Sequence, residues 1–381
     1  MFVELHVIQN FAPSNLNRDD TGNPKDAEFG GVRRARVSSQ SFKRAIRKAP
    51  VFAETTGVDL GTRTRWITRL LRRALESHAK PAEEIQMVLA NFVPEYLSKF
   101  DSKFKPEEDA PDKNRTAVLL YIGSDELEAI TQALLEHWEA LVEGDQKVSR
   151  SVARDLVKAH QDVTGAPDIA LFGRMLAEKP ELNLEAACQV AHAISTHRVT
   201  MEMDFFTAVD DITQGTEEAG AGMMGFTGFD SACFYRYVRL DWEQLLKNLG
   251  GDVGLARRTV EAFLRAVVEA VPTGKQNTFA AHNPPSFMLA AVREGSFAWS
   301  LANAFEAPIS SQSAGWVVPS VAALDAYWSR LTTVYGADSL KAVAALPLDP
   351  GLPLTTLKDA TVETLADWIG RVLEALPQEE V

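Results

Sequence analysis

The chain has 381 residues, 46% of them hydrophobic and 24% charged, which excludes a collagen-like, fibrous or wholly disordered polymer and leaves room for two or three folding units. No run of about 18 apolar residues occurs, which excludes a membrane-spanning helix, and the start MFVELHVIQNF lacks the pattern of a secretory leader. The net charge of −13 argues against a polyanion partner for the surface as a whole, yet twelve Lys and Arg meet only two acids between residues 31 and 75, a window of +10 that leaves −23 for the rest.

Residues 2–8 alternate, Val3, Leu5 and Val7 against Glu4 and His6, and predict a half-buried strand. Residues 11–31 hold Pro13, Asn15, Asn17, Gly22, Pro24 and the Gly30-Gly31 pair, and predict a loop. A helix follows. Ser38 or Ser39 is placed to cap it, Phe42, Ala45, Ile46 and Ala49 form its apolar stripe, and Pro50 stops it. From about residue 61 to 185 the pattern is nearly all helical, and a further helix is expected over 184–196. Residues 200–230 lose periodicity and are rich in Gly, Met, Thr and acids. A strong strand is predicted over 231–240, helices over 241–249 and 254–271, and a loop over 272–285. A strand over 287–292 and helices over 321–335 and 362–376 complete the chain. Strand–helix, a long helical insertion, then strand–helix–strand gives an α+β class of the ferredoxin or RNA-recognition type. Cys188 and Cys233 are too few for a disulfide framework or a closed zinc site, so reduced thiols and a cytoplasmic location are expected.

The basic helix carries the most chemistry. Gln40, Lys43 and Arg47 fall at i, i+3 and i+7 on one stripe, opposite Phe42 and Ile46. Arg33, Arg34, Arg36, Ser38 and Ser39 lie just ahead. A helix N-terminus offers free N–H groups and partial positive charge to phosphate, and hydroxyl and amide groups suit phosphate or sugar oxygens. Such a set holds a backbone without reading a base. The alternative is a solvated basic helix face.

Other motifs are weaker. Residues 220–225 read GAGMMG, a GxGxxG without the strand before and helix after that a dinucleotide site needs; hairpin or loop is the expectation. His192 and His197, ahead of Glu202, Asp204, Asp210 and Asp211, have spacing five and fit core or helix-end histidines better than a metal pair. No metal or cofactor is expected. Asp19, Asp20 and Asp26 could hold Mg²⁺ for cleavage, against a turn-forming loop paired with Arg18, Lys25 and Arg33. Phe205-Phe206 suits either base stacking or anchoring a loop to the core. Met175 reads as packing, and Tyr235, Tyr237 and Arg239 share a strand face that could stack on bases.

Several stretches taken together resemble a known family. Residues 15–20 (NLNRDD), 25–27 (KDA), 29–31 (FGG) and 36–45 (RVSSQSFKRA) are similar to the N-terminus of CasC proteins, the repeated backbone subunits of type I-E CRISPR Cascade complexes. Residues 191–197 (AHAISTH), 204–211 (DFFTAVDD), 234–237 (FYRY), 275–278 (KQNT) with Asn283-Pro284, and 302–306 (ANAFE) follow in the same order. The resemblance implies a right-hand-like fold. An RNA-recognition-motif, ferredoxin-like palm would take residues 1–60, 184–198 and 230–381, a helical fingers insertion 61–183, and a β-hairpin thumb 199–229. Beyond residues 206–211 the thumb does not match position by position.

The resemblance also implies a role. Several copies would polymerise along a CRISPR RNA as a helical filament and present it for pairing with a target DNA strand, without cutting anything. The other partners would be the large, small and guide-end-capping subunits and the repeat-processing endonuclease, with no membrane. Ser38, Gln40, Lys43 and Arg47 would hold guide phosphates and sugars, with Arg18, Lys25 and Lys275 adding to them. Met175 would press on the guide, and Phe205 and Phe206 would lie on the thumb beside a displaced base. The competing expectation is a metal-dependent, RNA-cleaving backbone subunit that uses Asp19 or Asp20.

Overall fold

The computed structural model describes residues 1–101, 104–105, 114–117, 119–176, 179–209, 221–310 and 315–378. The chain divides into two compact units. Unit 1 comprises Met1–Phe52, Val190–Arg239 and Phe263–Leu376, and unit 2 comprises Ala53–Gln189, Leu240–Ala262 and Pro377–Val381. The mixture of helix and sheet is α+β, as the pattern predicts.

In chain order, β1 (Phe2–Ser14), β2 (Asp26–Phe29) and β3 (Val32–Val37) precede α1 (Ser39–Lys48) and α2 (Pro50–Thr56). Then come β4 (Thr62–Thr64), α3 (Ile67–Glu76), α4 (Ala82–Leu97), β5 (Leu120–Ile122), α5 (Ser124–Glu136), α6 (Trp138–Val142), α7 (Gln146–Ala159) and α8 (Pro167–Phe172). The chain continues through β6 (Cys188–Val190), β7 (Ala193–Ser195), β8 (Glu202–Val209), β9 (Ala221–Asp241), α9 (Trp242–Asn248), α10 (Val253–Glu269) and α11 (Gln276–Phe279). It ends with β10 (Phe287–Arg293), α12 (Val317–Tyr335), β11 (Leu340–Pro347) and α13 (Leu365–Glu374).

The main sheet runs β11-β10-β1-β9-β7-β3-β2, with β6 and β8 also paired to β9. It has an apolar cluster on each side. One is built on Phe11, Val37, Phe42 and Phe234 and takes in α1. The other is built on Tyr235, Leu289, Trp299, Phe305, Leu324 and Trp328 and takes in α12. β1 is therefore buried on both faces rather than half-buried as its alternation predicts. Its polar residues are satisfied internally. Glu4 accepts from Arg293 Nε at 3.1 Å, from the Tyr237 hydroxyl at 2.9 Å and from the Trp299 N–H at 2.6 Å. His6 Nδ1 lies 2.9 Å from the Tyr235 hydroxyl. This network also removes Tyr235 and Tyr237 from any stacking surface, a correction to the sequence reading.

Three other expectations change. The first loop contains the β2–β3 hairpin, turned by Gly30 and Gly31 at φ +62° and +71°, a conformation open to glycine at little steric cost. A Cβ on Gly30 would also lie 1.8 Å from the Glu306 carbonyl oxygen. The helix expected over 184–196 is replaced by β6 and β7, because pairing of Ile194 with Arg36 and Tyr235 outweighs an Ala-rich helical pattern. Part of 200–230 is an antiparallel hairpin of β8 on β9, with Phe205 opposite Phe226, Asp204 opposite Thr227 and a register shift between Ala208 and Val209. The GxGxxG glycines at 222 and 225 lie in β9, and Gly220, Asp210 and Asp211 lie outside the described residues.

Unit 2 packs α3, α4, α5 and α7 around Leu71, Val88, Phe92, Tyr96, Ile130 and Leu134. The short β4–β5 ribbon pairs Arg63 with Tyr121. Asp168 anchors it, accepting from the Tyr121 hydroxyl at 2.6 Å and from the Gly61 N–H at 2.9 Å.

Candidate nucleic-acid interface

The N-terminus of α1 is held by a histidine rather than by a serine hydroxyl. Ser38 occupies the N-cap position with extended backbone, and its side chain makes no cap bond. The Ser38 N–H donates to Asn17 Oδ1 at 2.8 Å, and the Ser39 N–H donates to His192 Nδ1 at 3.0 Å. The pKa of His192 is lowered, first by partial burial and then by the charges of Arg36 and Lys25. A proton on Nδ1 would abolish the bond to Ser39, so this cationic surrounding keeps the ring in the form that the helix needs. The Lys25 N–H donates to the Asn17 carbonyl, and the Arg36 N–H donates to the Lys25 carbonyl, both at 2.9 Å. Lys25, Arg36, Ser38 and Ser39 are thus gathered around the start of one helix.

Along α1, Gln40 is exposed and Lys43 half-buried, on the side away from Phe42 and Ile46. Arg47 departs from the predicted stripe. It is 6% exposed and belongs with Phe42 and Ile46 on the buried side. A cleft of about 450 Å³ runs beside the helix, lined by Arg18, Asp19, Asp20, Ser41, Arg44 and Gly274 among others. This brings Arg18 and the loop before α11 to the same helix. Close approach there requires a glycine, because a Cβ on Gly274 would lie 2.3 Å from the Leu16 carbonyl oxygen. The next residue, Lys275, is held at φ +49°, a left-handed conformation that costs a residue with a side chain about 1–3 kcal/mol.

Two of the first-loop carboxylates, Asp19 and Asp26, are occupied. Asp19 Oδ1 accepts from the Thr21 hydroxyl at 2.8 Å and from the Thr21 and Asn23 N–H groups at 2.9 and 3.0 Å. These bonds hold its pKa below the ordinary carboxylate range. Asp26 pairs with Arg33 at 2.8 Å. Among the described residues no group of three or more His, Cys, Asp or Glu could hold a metal ion. His197 accepts from the Cys233 N–H at 3.1 Å and stacks on Trp316 with ring centres 3.9 Å apart.

The β8–β9 hairpin offers a different chemistry. Residues 199–229 contain six acids and no Lys or Arg, so attraction to phosphate is absent there. Met203, Phe205, Met224 and Phe226 stand exposed on one face, with Phe205 and Phe226 ring centres 5.2 Å apart. Phe206, on the opposite face, covers Gly225. Neither Phe205 nor Phe206 anchors the hairpin to the core. In unit 2, Met175 is 82% exposed, so the packing expectation fails there too.

The profile of the CT1975-like protein family matches residues 3–370. The chain belongs to the CT1975-like family. One chain titled "CRISPR RNA-guided surveillance complex, pre-nicking" is 30% identical to this CT1975-like protein, over 98% of this chain and 100% of that one, with a TM-score of 0.82. A second, titled "CRISPR RNA-guided surveillance complex", is 26% identical over 99% and 100%, with a TM-score of 0.73. No curated protein matches the chain. The resemblance to the CasC backbone subunits of Cascade stands.

Sequence reasoning missed several groups. His192 reads from the sequence as a core or helix-end histidine rather than a metal ligand, but its pairing across 153 positions with Ser39 at the start of α1 has no local signal. Asn17 is marked in the sequence only as a loop former, and Gly274 not at all. The +10 window was read as one basic face, but it divides between the two units. Its second half forms an aromatic-backed set, with Arg69 4.4 Å from the Trp66 ring centre and Arg63 4.4 Å from that of Tyr121, and Arg115, from outside the window, joins it at 5.3 Å from Trp66. Only the Trp66–Arg69 spacing of three was legible in advance.

Proposed function

We propose that the chain is a CRISPR RNA-binding backbone subunit that holds the guide by its phosphates and sugars and presents it for pairing with a target DNA strand. The observation that carries this reading is the gathering of Lys25, Arg36, Ser38 and Ser39 at the N-terminus of α1, beside a cleft shared with Arg18. N–H groups, hydroxyls and cations converge there, and nothing in the set is arranged to read a base edge. Ser38, Gln40 and Lys43 contact the guide backbone in this reading, with Arg18, Lys25, Arg47 and Lys275 as supporting cations. The two solved relatives are named as RNA-guided complexes.

Unit 1 serves as an RNA-recognition-type palm and the helices of unit 2 as fingers. The β8–β9 hairpin serves as a thumb that touches bases through Phe205 and Phe206, and Met175 presses on the guide. Several copies polymerise on one guide, because a single basic helix covers few nucleotides and head-to-tail contacts that do not close generate a helix. The large, small and guide-capping subunits and the repeat endonuclease complete a cytoplasmic, membrane-free complex.

Filter binding of an oligouridylate RNA across a salt series tests the reading. Affinity should fall steeply with salt, and Lys25→Ala with Lys43→Ala should flatten the slope by about two units. An unchanged slope removes α1 from the site. The subunit itself is non-catalytic in this reading, supported by the occupied state of Asp19 and Asp26. Cleavage of complementary RNA with Mg²⁺ that Asp19→Ala or Asp20→Ala abolishes would establish the nuclease instead.

A further inference from the structure

Among the described residues, two guanidinium groups inside unit 1 have no carboxylate partner. Arg34 is fully buried, and its nitrogens donate only to the carbonyls of Phe29, Ser195, Phe305 and Glu306. Arg236 is 4% exposed. Its Nη1 donates to Gln9 Oε1 at 2.6 Å and its Nη2 to the Val267 carbonyl at 3.0 Å. Its Cζ lies 4.1 Å from the centre of the Phe42 ring. Phe42 is on the inner side of α1, so Arg236 sits beneath the helix whose outer side carries Gln40 and Lys43. Burial lowers the pKa of Arg236 to about 9, which leaves it charged at neutral pH.

An unpaired buried cation is expensive, because carbonyl dipoles replace only part of its hydration. An apolar side chain would fill the space under Phe42 at lower cost. What a charge there does, and an apolar group cannot, is raise the potential at the α1 surface through a low-dielectric interior. We infer that Arg236 is an electrostatic positioning residue of the polyanion face, its charge completed by backbone phosphates gathered on α1, so that polyanion binding and the stability of unit 1 are linked. Arg34 points to the other face of the sheet, against Phe305 and Glu306, and takes no part in this inference. The inference rests on the proposed role of α1 and adds a source of binding energy that touches no ligand.

Compensating the charge from inside tests it. Gln9→Glu puts a carboxylate where Gln9 Oε1 now accepts from Arg236, and gives up the bond that Gln9 Nε2 donates to the Asn283 carbonyl at 2.7 Å. The lost bond offsets the new ion pair in the melting temperature, so the readout is affinity: binding of oligouridylate RNA at low salt should fall about tenfold, as for a unit charge on the order of 10 Å from phosphate at an effective dielectric constant of about 20. Arg236→Gln should lose affinity to a similar degree, while Arg236→Lys should retain most of it. A packing role alone would move melting temperature and leave affinity in place. Affinities of Gln9→Glu and Arg236→Gln within about twofold of wild type overturn the inference, and if one of them fails to fold, the other decides. Arg236→Lys falling as far as Arg236→Gln also overturns it, since that pattern marks lost geometry rather than lost charge. A wild-type affinity insensitive to salt overturns the reading of α1 itself, a separate result with which the inference also falls.

Discussion

Arg174 in unit 2 and Arg236 in unit 1 are hidden to the same degree, at 6% and 4% exposure, and are treated in opposite ways. Arg174 meets Glu126 at 3.1 Å and the His160 carbonyl at 2.7 Å, and Glu126 in turn accepts from the Tyr96 hydroxyl at 3.0 Å. Burial raises the pKa of Glu126, and Arg174 beside it offsets part of that cost. The interior of the helical unit is electrically closed. Arg236 meets an amide oxygen, a carbonyl and an aromatic ring, and its charge is left for the surface above it. A buried arginine therefore signals fold maintenance in one unit and a charged face in the other, and the partner decides which.

The largest test of that contrast lies in unit 2. Glu126→Gln leaves Arg174 buried and uncompensated, and breaking such a pair destabilises by about 3–5 kcal/mol, readable as a drop in the urea midpoint. Arg236→Gln strands no charge and should lose less than half as much. Equal losses would mean that both arginines are structural, and the contrast would collapse.

A second comparison lies within unit 1, between α1 and the β8–β9 hairpin. The helix is cationic, whereas the hairpin has no cation and an exposed apolar face. Phe205→Ala with Phe226→Ala should leave the melting temperature nearly unchanged, because the rings lie outside the core. RNA binding should weaken by about 1–3 kcal/mol per stacked base. The slope of affinity against salt should stay that of the wild type, since no phosphate contact is removed. A slope that flattens along with affinity would show that the hairpin acts by positioning α1.

Asp230 and His6 allow the same contrast to be read with pH. Asp230 is 8% exposed, and burial, followed by the nearby charge of Asp26, raises its pKa to about 7. Between about pH 4 and 7 the folded chain holds a proton there that the unfolded chain has lost, so stability falls as pH rises through that range. Asp230→Asn should stabilise the protein by about 4 kcal/mol at pH 8 and by little at pH 4. For His6, burial lowers the pKa to about 3. The unfolded chain binds the proton first, below about pH 6.5, and stability falls as pH drops from there. A melting profile with both losses places the optimum between them, and Asp230→Asn should remove only the alkaline one.

Much of this was legible in the sequence, and the failures have a common cause. α1, α9, α10 and β10 declare themselves by caps, periodicity and breakers, and α1 carried the basic set from the start. β1 was misread because alternation of Glu4 and His6 with apolar residues mimics a solvent face, while their partners Arg293 and Tyr235 lie hundreds of positions away. The segment at 184–196 was misread because a helical Ala pattern yielded to strand pairing with β3 and β9. β11 went unseen because its Ala-rich run has weak strand propensity and is fixed by β10 alongside it. In the candidate site, charges and hydroxyls were visible, but the residues that position them were not. His192, Asn17 and Gln9 act through hydrogen bonds to residues distant in sequence, which leave no periodic trace.

The smallest expected effect separates positioning from contact most sharply. A serine at an N-cap ordinarily contributes about 1 kcal/mol through its hydroxyl, and Ser38 occupies that position. Its hydroxyl makes no cap bond, and the N–H groups of Ser38 and Ser39 are taken by Asn17 and His192. Ser38→Ala should therefore change the melting temperature by less than about one degree, well under the several degrees that a lost cap of about 1 kcal/mol produces in a small domain. His192→Ala should show that larger loss, because it strips the acceptor from the Ser39 N–H. If Ser38 is instead kept as a hydroxyl for the guide backbone, Ser38→Ala lowers RNA affinity by about threefold to tenfold, the value of one hydrogen bond to a charged oxygen, while the fold is untouched. Calorimetric melting and filter binding on the same two variants distinguish the roles. A Ser38→Ala chain that melts early with normal affinity would place the serine in the helix and take it out of the interface.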